Sequence, residues 1–189
     1  MRKNRQRGLT MIEILVVLAI IAVVAGLTYP SIRRASEGAK VSASLLRGKQ
    51  IHMALMLYRE DSGGETGTYG EPSTMNLPSN SYLLFWNNRY GLNEEMLKSP
   101  CGKITAEQMY AGIYPAVIDD TIFAGYAVKF QEAVPISLDF HCNTPSPYFA
   151  GHRITKRGVI TNLSGSAYVK RAKAVMSKWE YWVQDSTLK

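Results

Sequence analysis

Four side chains of reactive type fall close together in the second half of the chain: Asp139, His141, Cys142 and His152. A Cys–His nucleophilic pair needs a base held within hydrogen-bond reach of the thiol. On a strand, Asp139 and His141 would share one face and Cys142 would point to the other, which parts the nucleophile from its base. Zinc asks for three or four ligands at recognisable spacing, and His141, Cys142 and His152 supply only a loose version. No phosphate-binding glycine loop and no nucleophile elbow accompanies them. Enzyme activity, a metal site and a cofactor are therefore not expected. His52 stands alone on a helical stripe and reads as a packing histidine. Cys101 and Cys142, the chain's two cysteines, are too few for a disulfide scaffold and lack CxxC spacing. In an oxidising compartment they would form one bridge worth about 3–4 kcal/mol through loop entropy; in a reducing one they would be unpaired core thiols.

The other residue that invites chemistry is Glu13, the single charge between Leu9 and Tyr29. At about 1.5 Å per residue that segment makes a helix of roughly 30 Å, the thickness of a bilayer core. Arg2, Lys3, Arg5 and Arg7 precede it and should stay cytoplasmic, a bias that Arg33 and Arg34 weaken without cancelling. The rest of the chain is then predicted outside the cytoplasm, which favours a Cys101–Cys142 bridge. The net charge of +7 is largely this N-terminal cluster. What remains forms no basic run with interleaved aromatics, so nucleic acid is not an expected partner. An ionised Glu13 within lipid costs several kcal/mol unless paired. Either it reaches headgroup water, or something supplies a cation.

Three readings fit an N-terminus of this kind: an ordinary secretory signal with small residues near Val23-Val24-Ala25, a plain single-span anchor, or a precursor cleaved ahead of the apolar run. The junction Arg7-Gly8-Leu9-Thr10-Met11-Ile12-Glu13 resembles the type IV pilin and pseudopilin family, whose precursors carry a short basic leader ending in glycine. Gly8 matches the residue before cleavage, Leu9 the new and N-methylated terminus, and Glu13 the acidic fifth mature position. Pro30 matches the proline that kinks or loosens such helices at the twenty-second. The resemblance implies that Glu13 pairs with the α-amino group of a neighbouring subunit.

After Pro30, Ile32, Ala35, Ala39, Ser42, Leu46, Met53 and Leu57 recur at helical spacing, widened by Leu45, His52 and Met56. One helix is predicted over 9–58, with this stripe packed on a sheet; Gly38 and Gly48 weaken it slightly. Residues 61–81 read as a loop. Its Glu60, Asp61 and Glu65 lack the alternation of a calcium loop and read as a solvated acidic cluster. Lys49-Gln50-Ile51 leading to Tyr58 and acidic residues, then Ser99-Pro100-Cys101, resemble the pseudopilin-like subgroup. Asn93 is a candidate helix cap, and Thr105 to Gln108 has capping-box spacing. Alternation predicts strands at 122–130 and 134–140, the latter with Pro135 at an edge or strand start. A hairpin is predicted at Ser164-Gly165, between 159–163 and 166–170. It resembles the end of the same subgroup, although Ser164 replaces the usual Asp. Ala172, Val175, Met176, Trp179, Trp182 and Val183 predict a short helix covering the sheet, with a partner-binding aromatic patch as the alternative.

The expected fold is α+β and pilin-like: a long N-terminal helix, transmembrane and then amphipathic, packed on a small antiparallel sheet. Residues 1–8 form a leader to be removed, 9–29 a transmembrane and filament-core helix, 30–58 its amphipathic half, and 59–189 an extracytoplasmic domain. By resemblance the chain is a pseudopilin of a type II secretion-like system, with a major or minor type IV pilus subunit, including one for DNA uptake, as alternatives. An ordinary signal-bearing secreted or anchored protein is the rival from another class. The implied partners are prepilin peptidase, the bacterial inner membrane and other pilin or pseudopilin subunits in a helical filament, with the globular domain in the periplasm or outside.

Overall fold

The computed structural model describes residues 10–79, 84, 89–101, 112–113, 120–142, 156–172 and 182–183. The chain divides into two compact units, Met1–Ala39 and Lys40–Lys189, and one helix, α1 (Met11–Asp61), contributes to both. In the first unit every described residue is exposed, including Ile14, Leu18, Ile21 and Val24. α1 runs through Pro30 without a break. The missing proline N–H leaves the Gly26 carbonyl without its usual partner one turn back. Just before it, the Thr28 hydroxyl donates to the Val24 carbonyl at 3.0 Å.

The second unit is α+β. Four strands, β1 (Gly112–Ile113), β2 (Pro135–Asp139), β3 (Lys156–Asn162) and β4 (Ala167–Ala172), pair antiparallel in sequential order. The β2–β3 register sets Ser137 opposite Thr161 and Asp139 opposite Val159, with an irregularity between Pro135 and Ser137. In β3–β4, Val159 faces Val169 and Arg157 faces Arg171. Pro135 starts β2, where a missing donor costs the ladder least. All five residues of β2 are buried, so both faces of the sheet are covered there. α1 lies on the face bearing Ser137, Asp139 and Thr161. Trp182 lies on the other: its ring makes an edge contact with Phe140 at 4.9 Å, and a Cβ on Gly158 would come 2.7 Å from it.

The helix stripe differs from the one expected. α1 buries Ser44, Gly48, Ile51, Ala54 and Leu55, whereas Leu46, Met53 and Leu57 are exposed. Ile51 and Leu55 join the core, while at Ser44 and Gly48 small residues face the sheet, because the backbones approach too closely there for larger ones. A Cβ on Gly48 would collide with the Thr161 hydroxyl, so this glycine is a packing requirement rather than a weakness.

The strand expected at 122–130 is instead a helix, α2 (Asp120–Phe130). Phe123 and Ala127, four apart, are its buried residues, while Ile122 and Val128 are exposed. The apolar residues satisfy both periods at once, and the helical one buries Phe123. The strand expected at 134–140 and the hairpin at Ser164-Gly165 are both present, the turn placing Gly165 at φ +82°. The Asn93 side chain caps the 3-10 turn Glu94–Leu97 by accepting from the Met96 amide at 3.2 Å. The capping-box segment 105–108, His152 and most of the expected C-terminal helix, Trp179 included, lie outside the described residues.

Candidate functional site

The first candidate site is the start of α1. Gly8 and Leu9 lie outside the described residues; Thr10 and Glu13 are described. The Glu13 carboxylate accepts from the Thr10 amide at 2.7 Å and from its hydroxyl at 2.9 Å, and the Thr10 hydroxyl accepts from the Glu13 amide at 3.3 Å. This is a reciprocal capping box, which satisfies donors that the first helical turn leaves open. It also gives Glu13 a partner inside the single chain, so the carboxylate is held at the head of the apolar run before any second subunit arrives. An ammonium group brought beside Glu13 would give the carboxylate a full opposite charge in addition to a hydrogen bond, which the two neutral Thr10 donors do not supply. Thr10 was legible as part of a Thr-x-x-Glu capping box, a signal masked by the attention Glu13 draws.

The second candidate lies where α1 meets the sheet. Asp139, at the end of β2, is buried, a position that costs several kcal/mol for a carboxylate without partners. It accepts from the Ser44 hydroxyl at 2.6 Å, the Ser99 hydroxyl at 2.7 Å and the His141 amide at 2.9 Å. The Ser99 hydroxyl in turn accepts from the Cys101 amide at 3.1 Å. Cys101 and Cys142 form a disulfide across a sequence separation of 41, and the Cys142 carbonyl accepts from Arg157 Nε at 2.9 Å and from a second guanidinium nitrogen. Arg47 on α1 donates to the Lys98 carbonyl. One carboxylate thus joins α1, the segment before Cys101 and the end of β2, and the disulfide closes the same junction covalently.

Among the described residues, Cys101, Asp139 and Cys142 are the group whose ligand atoms come together, within 4.8 Å. Both sulfurs are engaged with each other, and the Asp139 oxygens are taken by hydroxyl and amide donors, so the arrangement is a structural joint. Asp139 and His141 do not assemble with a free thiol. At the end of α1 and in the loop after it, two of the three expected carboxylates are paired with arginine: Asp61 with Arg89 at 3.0 Å and Glu65 with Arg59 at 3.8 Å.

His52 has a packing role. Its Nε2 lies 2.9 Å from the Leu163 carbonyl, and its ring covers Gly165, where a Cβ would come 2.7 Å from it. Burial lowers its pKa from the ordinary 6.5, a shift that the bond to Leu163 opposes. Trp182 is completely buried, and its carbonyl accepts from the Tyr168 hydroxyl at 2.7 Å.

The family model of the prokaryotic N-terminal methylation motif matches residues 3–29. The match covers the basic leader, the Gly8–Leu9 junction, Glu13 and the apolar part of α1, and supports a type IV pilin-like family of prepilin-processed structural subunits. No curated protein and no solved structure shows significant similarity to the chain.

Proposed function

We propose that the chain is a pseudopilin, a filament subunit of a type II secretion-like machine. Prepilin peptidase cleaves it between Gly8 and Leu9, and Leu9 is then N-methylated. Before assembly the segment 9–29 spans the inner membrane once, with the Lys40–Lys189 unit on the periplasmic side, where oxidising conditions maintain the Cys101–Cys142 bridge. On assembly the new α-amino group of one subunit takes over the Glu13 carboxylate of another from Thr10. The observation that carries this reading is the Thr10–Glu13 box directly after a basic, glycine-ended leader, at the head of an apolar helix with no buried residue in its first unit.

A type IV pilus subunit would use the same N-terminus. The Lys49-Gln50-Ile51 stretch, Ser99-Pro100-Cys101 and the terminal hairpin favour the pseudopilin. Deleting the gene in the native host separates the two: lost exoprotein secretion with intact surface pili supports a pseudopilin, and lost pili with normal secretion supports a pilus subunit. Complementation with Glu13→Ala is expected to give a normally processed protein that does not enter filaments. Wild-type incorporation of that variant would remove Glu13 from the mechanism.

A further inference from the structure

Within the Lys40–Lys189 unit, α1 meets the sheet in two stretches that are held differently. From Ile51 onward the contact is apolar: Ile51, Ala54 and Leu55 belong to the buried core. Residues 41–48 bring little apolar surface to it. Ser44 and Gly48 are the buried residues there, and Val41 and Leu45 are half-buried. Two polar links hold this earlier stretch: the Ser44 hydroxyl donates to Asp139 at 2.6 Å, and Arg47 donates to the Lys98 carbonyl. Both links end on backbone that the disulfide clamps. Lys98 lies three residues before Cys101, and Asp139 three before Cys142. The Ser99 hydroxyl is the relay between them: it accepts from the Cys101 amide at 3.1 Å and donates to Asp139 at 2.7 Å.

Asp139 makes the arrangement conditional. Its carboxylate is buried and accepts from Ser44, Ser99 and the His141 amide. Parting Cys101 from Cys142 frees the strip 98–101, beyond Met96, which itself packs on the core. The carboxylate then loses the Ser99 donor, and a buried charge short of donors favours water over burial. Lifting residues 41–48 admits that water at little apolar cost. We propose that the Cys101–Cys142 pair is a redox latch on α1: the disulfide holds residues 41–48 on the sheet, and reduction releases them while the core from Ile51 onward stays folded. Closing the latch passes two electrons from the two thiols to a disulfide-bearing oxidant, which leaves as a dithiol with their two protons; a dithiol reductant reverses the exchange. The coupling is internal to the Lys40–Lys189 unit, and only the compartment in which it closes rests on the periplasmic reading above.

Hydrogen exchange read by mass spectrometry tests the latch, on the full chain in detergent micelles, oxidised and then reduced with dithiothreitol. Loss of a hydrogen bond to a carboxylate is expected to speed exchange at residues 41–48 by about tenfold on reduction. Residues 51–57, β3 and β4 are expected to keep their rates. A Cys101→Ser/Cys142→Ser variant is expected to exchange fast at 41–48 with or without dithiothreitol. Ser44→Ala removes the link to Asp139 and leaves the disulfide in place. In that variant the stretch is expected to exchange faster already when oxidised, and the effect of reduction to shrink. Equal exchange at 41–48 in the two states of the wild type would overturn the proposal. A response to reduction as large in Ser44→Ala as in the wild type would overturn it too, since the signal would then bypass Asp139. Reduction that speeds 41–48, 51–57 and β3 together would make the bond a brace for the whole unit and would equally remove the latch.

Discussion

At the scale of single residues, small side chains decide more here than large ones. Gly48 is the sharpest case, because two effects pull in opposite directions. Alanine is favoured over glycine in a helix by about 1 kcal/mol, yet a Cβ at this position collides with the Thr161 hydroxyl. Overpacking of this kind costs about 1–3 kcal/mol. Gly48→Ala is therefore expected to lower stability in a denaturant titration, whereas Gly38→Ala, where an added Cβ meets nothing within 4 Å, is expected to raise it. His52 makes a pH prediction. Its folded-state pKa is lowered by burial below the ordinary 6.5, so the unfolded chain binds the proton more readily than the folded one. Its contribution to stability is then complete above 6.5 and is lost as pH falls through that value towards the lower folded pKa. Thermal melts across that window are expected to show a destabilisation on acidification that His52→Gln reduces. An identical acid response in the variant would assign the effect to other groups.

At the scale of elements, Trp182 ties the end of the chain to the sheet. It is fully buried against Phe140 and Gly158, so Trp182→Ala is expected to cost about 3–5 kcal/mol and to be read as lost folding. A folded Trp182→Ala domain that fails only in assembly would instead assign the residue to an interface. That Trp182 covers the sheet was legible from the apolar pattern of the tail, and α1 through Pro30, β2, and the β3–β4 hairpin from its Ser164-Gly165 turn were legible as well. What misled was periodicity without knowledge of the facing surface. The stretch 122–130 alternates as well as a strand does, yet the four-residue spacing of Phe123 and Ala127 buries a ring and wins. On α1 the bulky stripe of Leu46, Met53 and Leu57 drew the eye away from Ser44 and Gly48, which face the sheet. The Asp139 junction was illegible for another reason: Ser44, Ser99 and Asp139 are separated by 95 and 40 residues, and nothing local marks serine hydroxyls that meet one carboxylate. Thr10 was readable and lay in the shadow of its neighbour.

At the scale of the whole molecule, the two units divide the labour. Among its described residues the Met1–Ala39 unit buries none, and it presents a row of exposed Ile, Leu and Val, a surface that needs lipid or other copies of itself to leave water. The Lys40–Lys189 unit has its own core and its own covalent closure at Cys101–Cys142. In the proposed mechanism the proteolytic event is the switch between these two tasks: only after cleavage would Leu9 carry an α-amino group able to replace the neutral donors of Thr10 at Glu13. The most direct measurement is the N-terminal residue and mass of the protein isolated from its native host. A terminus at N-methylated Leu9 is the predicted result. A mature chain that still begins at Met1, or that begins near Gly26 as an ordinary signal would leave it, would contradict the account.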